Sequence, residues 1–191
     1  KNDIYKIDLI DFKNKKTSEI LIKNIITPYQ NIDKILFSRN GKALNIFASG
    51  KKIDLSNINE KMQNKSKKNE YIKLDLTSDV IKLNPKISLI GNLNGKITDT
   101  SFKSTAYGKV LLDGLPIMDN GKYKININDK VSSLEGIGLI GGAETKINLR
   151  KKKNNFPSLI FDTSDGGKLL SVLGFTKNIK SGEMNININF L

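Results

Sequence analysis

Hydrophobic and polar residues alternate along most of this chain, which is the period of a half-buried β-strand rather than of a helix. Tyr5, Ile7 and Leu9 alternate with Lys6 and Asp8; Ile72, Leu74 and Leu76 with Lys73 and Asp75; Ile125 and Ile127 with asparagines; Ile147 and Leu149 follow the same rule. Each set has one greasy face and one wet face. The dipeptides Asn40-Gly41, Asn94-Gly95 and Asn120-Gly121 sit between such sets. Asn-Gly is the pair a type I′ hairpin favours, because both central residues take positive φ. The pattern predicts an antiparallel sheet. Long helices do not alternate with the strands, so a doubly wound parallel fold is not expected.

The period changes near the end of the chain. Thr163-Ser164-Asp165 supplies short oxygen side chains for the free N–H groups of a helix start, with Ser164 and Asp165 as expected caps. Leu169, Leu170 and Leu173 then share one face, and Gly174 is placed to end the helix in the left-handed conformation. At about ten residues this helix is too short to stand alone, so it must pack on a neighbour. In the strand that follows, Met184, Ile186, Ile188 and Phe190 alternate with Asn185, Asn187 and Asn189. A second short helix is expected from Ser56 to Gln63, before a polar loop from Asn64 to Asn69.

Two short helices cannot cover so many one-faced strands. The expected fold is mainly β: an elongated, curved antiparallel sheet forming a groove, with one or two short helices, in a single module across residues 1–191. An ordinary sandwich closed on itself uses the same pattern.

Composition narrows the function. The 191 residues include no cysteine, histidine or tryptophan, which removes disulfides, thiolate metal sites and the commonest general base. The chain begins at a lysine and has no apolar run near the ~20 residues needed to cross a bilayer, so a soluble excerpt of a longer polypeptide is expected, with whatever signal or anchor the parent has lying outside it. The formal net charge of +13 suggests nucleic acid or an anionic surface. All basic residues except Arg39 and Arg150 are lysine, however, whereas bidentate readers of bases and phosphates are usually arginine. The clusters at Lys13–Lys16, Lys65–Lys68 and Arg150–Lys153 read as solvated turns, and no nucleic-acid partner is expected.

Candidate chemistry is sparse. Gly136-Ile137-Gly138-Leu139-Ile140-Gly141 fits G-x-G-x-x-G, but an alternating strand follows it instead of a helix, so a glycine-rich bend or bulge is the better account. Ser49-Gly50-Lys51-Lys52 matches S-x-x-K without its companion motifs. Asp162 and Asp165 are spaced as helix-start residues, and Asp99, Asp113, Asp119 and Asp129 stand beside turn residues, where aspartate is common. No catalytic residue, metal site or cofactor is expected, and the chain reads as a non-enzyme.

Residues 161–191 form a helix-strand signature whose segment D-T-S-D-G-G-K-L-L-S-V-L-G-F-T-K-N-I-K-S-G-E-M, within a match running from about Phe161 to Phe190, resembles the C-terminal signature of AsmA-like proteins, in particular the large YhdP-type branch. There an aspartate-rich cap precedes a small-residue pair, a Leu-Leu helix ending in Leu-Gly, an Asn-Ile turn and a glycine that opens a final strand. Gly50 to Ser56, G-K-K-I-D-L-S, is similar to a second family segment. The chain departs from the family in Gly166-Gly167, where Ala-Gly is frequent, and in its low arginine content.

The resemblance implies a periplasmic module of a protein anchored in the inner membrane of a Gram-negative bacterium. Such proteins are implicated in phospholipid transport to the outer membrane and in outer-membrane integrity. Phospholipid acyl chains would then be the partner, with Met184, Ile186, Ile188 and Phe190 as lining candidates and the anchor lying outside this chain. Leu169, Leu170 and Leu173 would seat the helix on the sheet. The alternative is a scaffolding β domain that assists outer-membrane assembly and has no lipid groove of its own.

Overall fold

The computed structural model describes residues 9–13, 19–56, 70–83, 86–128, 130–152, 155–175, 178 and 181–189. The strands are β1 (Leu9–Lys13), β2 (Glu19–Ile26), β3 (Asn31–Asn40), β4 (Ala43–Asp54), β5 (Tyr71–Lys82), β6 (Ile87–Ile97), β7 (Ser101–Leu112), β8 (Leu115–Asn128), β9 (Val131–Ile140), β10 (Ala143–Lys152), β11 (Ser158–Thr163) and β12 (Met184–Asn189). They form one twelve-stranded sheet in which spatial order equals chain order. The sheet is open and curved, as the alternation implies. One helix, α1 (Gly166–Val172), lies between β11 and β12. Of the second expected helix, Ser56 is described and 57–63 lie outside the described residues, as do Tyr5, Ile7, the loop from Asn64 to Asn69, Asp129 and Phe190.

The sheet is antiparallel except at one place: β4 and β5 run parallel, Ala43 beside Tyr71 through Asp54 beside Lys82. A parallel neighbour needs a crossover of a dozen residues or more. The chain between Leu55 and Glu70 is long enough to supply one.

Only one Asn-Gly signal marks a hairpin. Asn40 pairs with Ala43 across Gly41-Lys42, one residue later than the dipeptide suggests. Asn94-Gly95 lies inside β6 and Asn120-Gly121 inside β8. A Cβ at Gly95 would stand 2.8 Å from the Phe102 ring, so this glycine makes room for an aromatic side chain instead of turning the chain. Asn120, with φ 49°, sits where β8 and β9 shift register. Two further tight turns are Asp113-Gly114 and Gly141-Gly142, all four residues having positive φ.

A row of small residues crosses the sheet on its apolar side. Gly50 faces Ser78, Ser78 faces Gly91, Gly91 faces Gly108 and Gly108 faces Gly121. Gly138, whose Cβ would lie 2.9 Å from the Gly121 Cα, continues the row to Thr145 and Thr163. Gly91 and Gly108 have φ of 142° and 140°, and a Cβ on either would meet the carbonyl of Tyr107 or Ile90. Register shifts fall beside this row at Ile32/Lys34, Ser78/Ile81, Gly108/Val110 and Asp119/Lys122. Bulges bend strands and glycines permit tight bends, so the row is a crease around which the sheet curves.

The crease divides the apolar face. Toward the end that carries the Leu112 to Leu115 turn, here called the lower end, Ile53, Ile81, Leu89, Val110, Met118 and Ile140 are buried. Directly above it Leu76, Leu93, Ala106 and Tyr123 are buried too, and all join one cluster with Leu169 of α1. Further up, toward the turn between β6 and β7, Leu74, Phe102 and Ile125 are still buried, but Ile72, Ile97, Ile127, Leu134 and Leu159 around them are only half-buried.

Candidate functional site

The C-terminal unit is built as a clasp between sheet and helix. Asp165, in extended conformation, is the N-cap: its Oδ1 accepts from the Lys168 N–H at 3.1 Å, and its Oδ2 lies 3.6 Å from Lys168 Nζ. Ser164 is not the cap. Its N–H and Oγ both donate to the Glu144 carbonyl, at 3.0 and 3.3 Å, tying the helix entry to β10. At the other end Gly174 has φ 80°, and its N–H donates to the Ser171 carbonyl while the Phe175 N–H reaches that of Leu170 at 2.9 Å. This double bond is the Schellman closure that a left-handed glycine makes possible. The helix runs seven residues, shorter than the spacing suggests, because the two caps close on it from both sides.

Leu169 is 0% exposed, whereas Leu170 and Leu173 are half-buried. One residue therefore anchors the helix and two support it. Thr145 and Thr163 are buried beneath, where the Thr145 hydroxyl donates to Thr163 Oγ1 at 2.9 Å and Thr163 donates to the Glu144 carbonyl at 3.3 Å. Buried hydroxyls need such partners.

Met184, Ile186 and Ile188 alternate as the sequence implies and are all half-buried. Their settings differ. A Cβ on Gly166 would lie 2.5 Å from Met184 Cε, so Met184 packs against the helix start and belongs to the clasp. Ile186 faces Phe161 and Ile188 faces Leu159, which continues the half-buried apolar surface above the crease to the last strand. That surface is aliphatic and can hold apolar matter by burial alone, at about 0.8 kcal/mol per methylene.

The opposite face holds a feature that the alternation hides. A shallow groove of about 660 Å³ runs across β4 to β8, lined by Lys73, Lys96, Lys103 and Lys124 with Asn45, Phe47, Asp75, Asn94 and Thr105. A second groove of about 570 Å³ shares Lys124 and extends toward β12 past Lys122, Glu135 and Lys146. Single lysines at alternating positions read as a solvated face. Only strand register places Lys73, Lys96 and Lys103 side by side.

Among the described residues Tyr123 is the one titratable group moved far from its ordinary value. Burial, with the Asp119 carboxylate adding to it, pushes its hydroxyl well above 10, so the phenol stays neutral, its hydroxyl 3.4 Å from the Gly108 carbonyl oxygen. Its ring fills the space left by Gly136, where a Cβ would stand 2.5 Å from Cδ1. The G-x-G-x-x-G stretch is thus packing and turn: Gly136 and Gly138 lie within β9, and Gly141 opens the hairpin to β10. Among the described residues no three acidic, histidine or cysteine side chains gather as a metal site, and no helix is long and apolar enough to cross a membrane.

Compared with family models, curated proteins and solved structures, the chain matches none of them.

Proposed function

We propose that this chain is a non-enzymatic, AsmA-like periplasmic module that holds phospholipid acyl chains on the half-buried apolar face above the crease, as part of lipid transport between inner and outer membranes. The observation that carries this reading is the set of half-buried aliphatics toward the upper end, Ile72, Ile97, Ile127, Leu134, Leu159 and Ile188, which runs across the sheet on either side of the buried Phe102. Acyl chains would complete the burial of that set without any polar contact. Ile186 and Ile188 are lining residues in this scheme, while Met184 seats the helix.

Native mass spectrometry of the chain after incubation with phospholipid tests the proposal, alongside uptake of an apolar fluorescent probe. Bound lipid, lost in Ile186→Asn/Ile188→Asn with the fold retained, is the expected result. Absence of both lipid and probe uptake overturns it. That outcome would favour the second reading, a scaffolding β domain closed by its own core, for which the buried lower end speaks: Ile81 and Leu89 are 0% and 1% exposed.

A further inference from the structure

We propose that the groove on the polar face between β4 and β8 binds a compact polyvalent phosphate anion, either a free di- or triphosphate or a phosphorylated headgroup. The site lies on the side of the sheet opposite the apolar surface, so it stands or falls independently of lipid binding there.

Register supplies the first argument. Lys73 on β5 is directly opposite Lys96 on β6, which is directly opposite Lys103 on β7. Like charges facing one another across strands are destabilising, so this ladder works against the fold unless something anionic occupies it. Lys124 on β8, opposite Thr105, joins the same groove one row away. Asp75 is the only acid in the lining and Lys124 faces Glu135 across β8 and β9, so the three lysines of the ladder face one carboxylate and two positive charges are left unbalanced.

The lysines of the ladder have no carboxylate partner of their own. Among the described residues the ion pairs are Arg39–Glu70, Lys82–Asp54, Lys109–Asp119 and Lys168–Asp165, none of which involves the four. Two are held without being neutralised: the ammonium of Lys96 stands 4.0 Å from the centroid of the Tyr71 ring, and that of Lys73 at 6.0 Å. Cation–π contact orients the charge and leaves its N–H donors free for a ligand.

Size and charge together select the ligand class. The groove volume of about 660 Å³ suits a small molecule. Neighbouring strands are about 4.8 Å apart, so three charges converge within a small span. A single carboxylate would leave most of the repulsion in place, whereas a di- or triphosphate matches it. Lysine is a compact point charge that donates in any direction, which suits tetrahedral phosphoryl oxygens without the planar fork that arginine imposes. Asn94 and Thr105 add neutral donors to the wall.

Calorimetric titration of the chain with tripolyphosphate tests this. Saturable one-to-one binding is expected, weakened about tenfold or more by Lys96→Gln and separately by Lys103→Gln, each removing one charge-assisted contact. Lys34→Gln, a remote lysine on β3, leaves it unchanged. Because either ladder variant also relieves cross-strand repulsion, its thermal midpoint holds or rises, which a merely structural lysine would not do. Capture by phosphatidylcholine vesicles doped with phosphatidylinositol bisphosphate, also lost in Lys96→Gln, assigns the headgroup as source; no capture assigns the free anion. The proposal is overturned by the absence of saturable binding, by equal losses in Lys34→Gln, or by preference for a single-stranded oligonucleotide over tripolyphosphate at equal salt.

Discussion

Below the crease and toward its upper end, the same strands carry the same aliphatic residues in the same alternation, and they reach different ends. Ile81 and Leu89 below are 0% and 1% exposed; Ile72 and Ile97, on the same two strands above, are half-buried. Hydrophobicity does not separate them. Geometry does: the bulges beside Ile32, Ser78, Gly108 and Asp119 fall on one transverse line, and α1 docks below it through Leu169. A sheet that bends along one line closes over the shorter arm and leaves the longer one ajar. One end is thus a closed core, while the other mixes the buried Leu74, Phe102 and Ile125 with half-buried aliphatic neighbours.

The most damaging way to erase that contrast is Gly108→Ala. With φ 140° and the Ile90 carbonyl in the path of a Cβ, the variant should lose about 4 kcal/mol or fail to fold. Urea denaturation reads this directly, and a loss within a few tenths would mean that the crease is not what holds the two halves apart. Next comes the matched pair Leu169→Ala and Ile127→Ala. The first should cost about 3 kcal/mol, the second about half as much, because a half-buried residue has less burial to lose. Equal costs would dissolve the distinction.

Thr145→Val is a smaller probe of the closed end. It leaves Thr163 without its buried donor and should cost about 1–2 kcal/mol by the same measurement. The smallest effect concerns Tyr123, whose hydroxyl is raised by burial and by Asp119. Above a pH of about 10 the unfolded chain releases a proton that the folded protein keeps. This contribution is complete below that pH and is lost as pH rises toward the folded value. Tyr123→Phe should therefore flatten the alkaline decline in thermal midpoint. An unchanged decline would place its origin elsewhere, in lysine deprotonation.

Much of the C-terminal unit was legible because its signals are local. Gly174 is left-handed, Asp165 caps, and Leu169 points inward, each fixed by a residue's own chemistry and its near neighbours. Ser164 misled for the same reason: its hydroxyl could cap, but β10 offers the Glu144 carbonyl nearer by. The internal Asn-Gly pairs failed on packing grounds. Gly95 and Gly121 answer to the rings of Phe102 and Tyr123 lying over them, and dipeptide composition does not encode which ring lies where.

What the sequence determined alone was period: a mainly β chain with one greasy face, a helix near the end, and no residues suited to thiolate or imidazole chemistry. These follow from bond geometry and side-chain type, which act within a few positions. Tertiary structure decided everything that depends on register. It set β4 beside β5 in parallel, lined up scattered glycines into a crease, divided one apolar face into a closed core and a partly buried end, and brought Lys73, Lys96 and Lys103 into a single ladder. Strand pairing joins residues far apart in the chain, and a shift of one position would move every side chain to the other face.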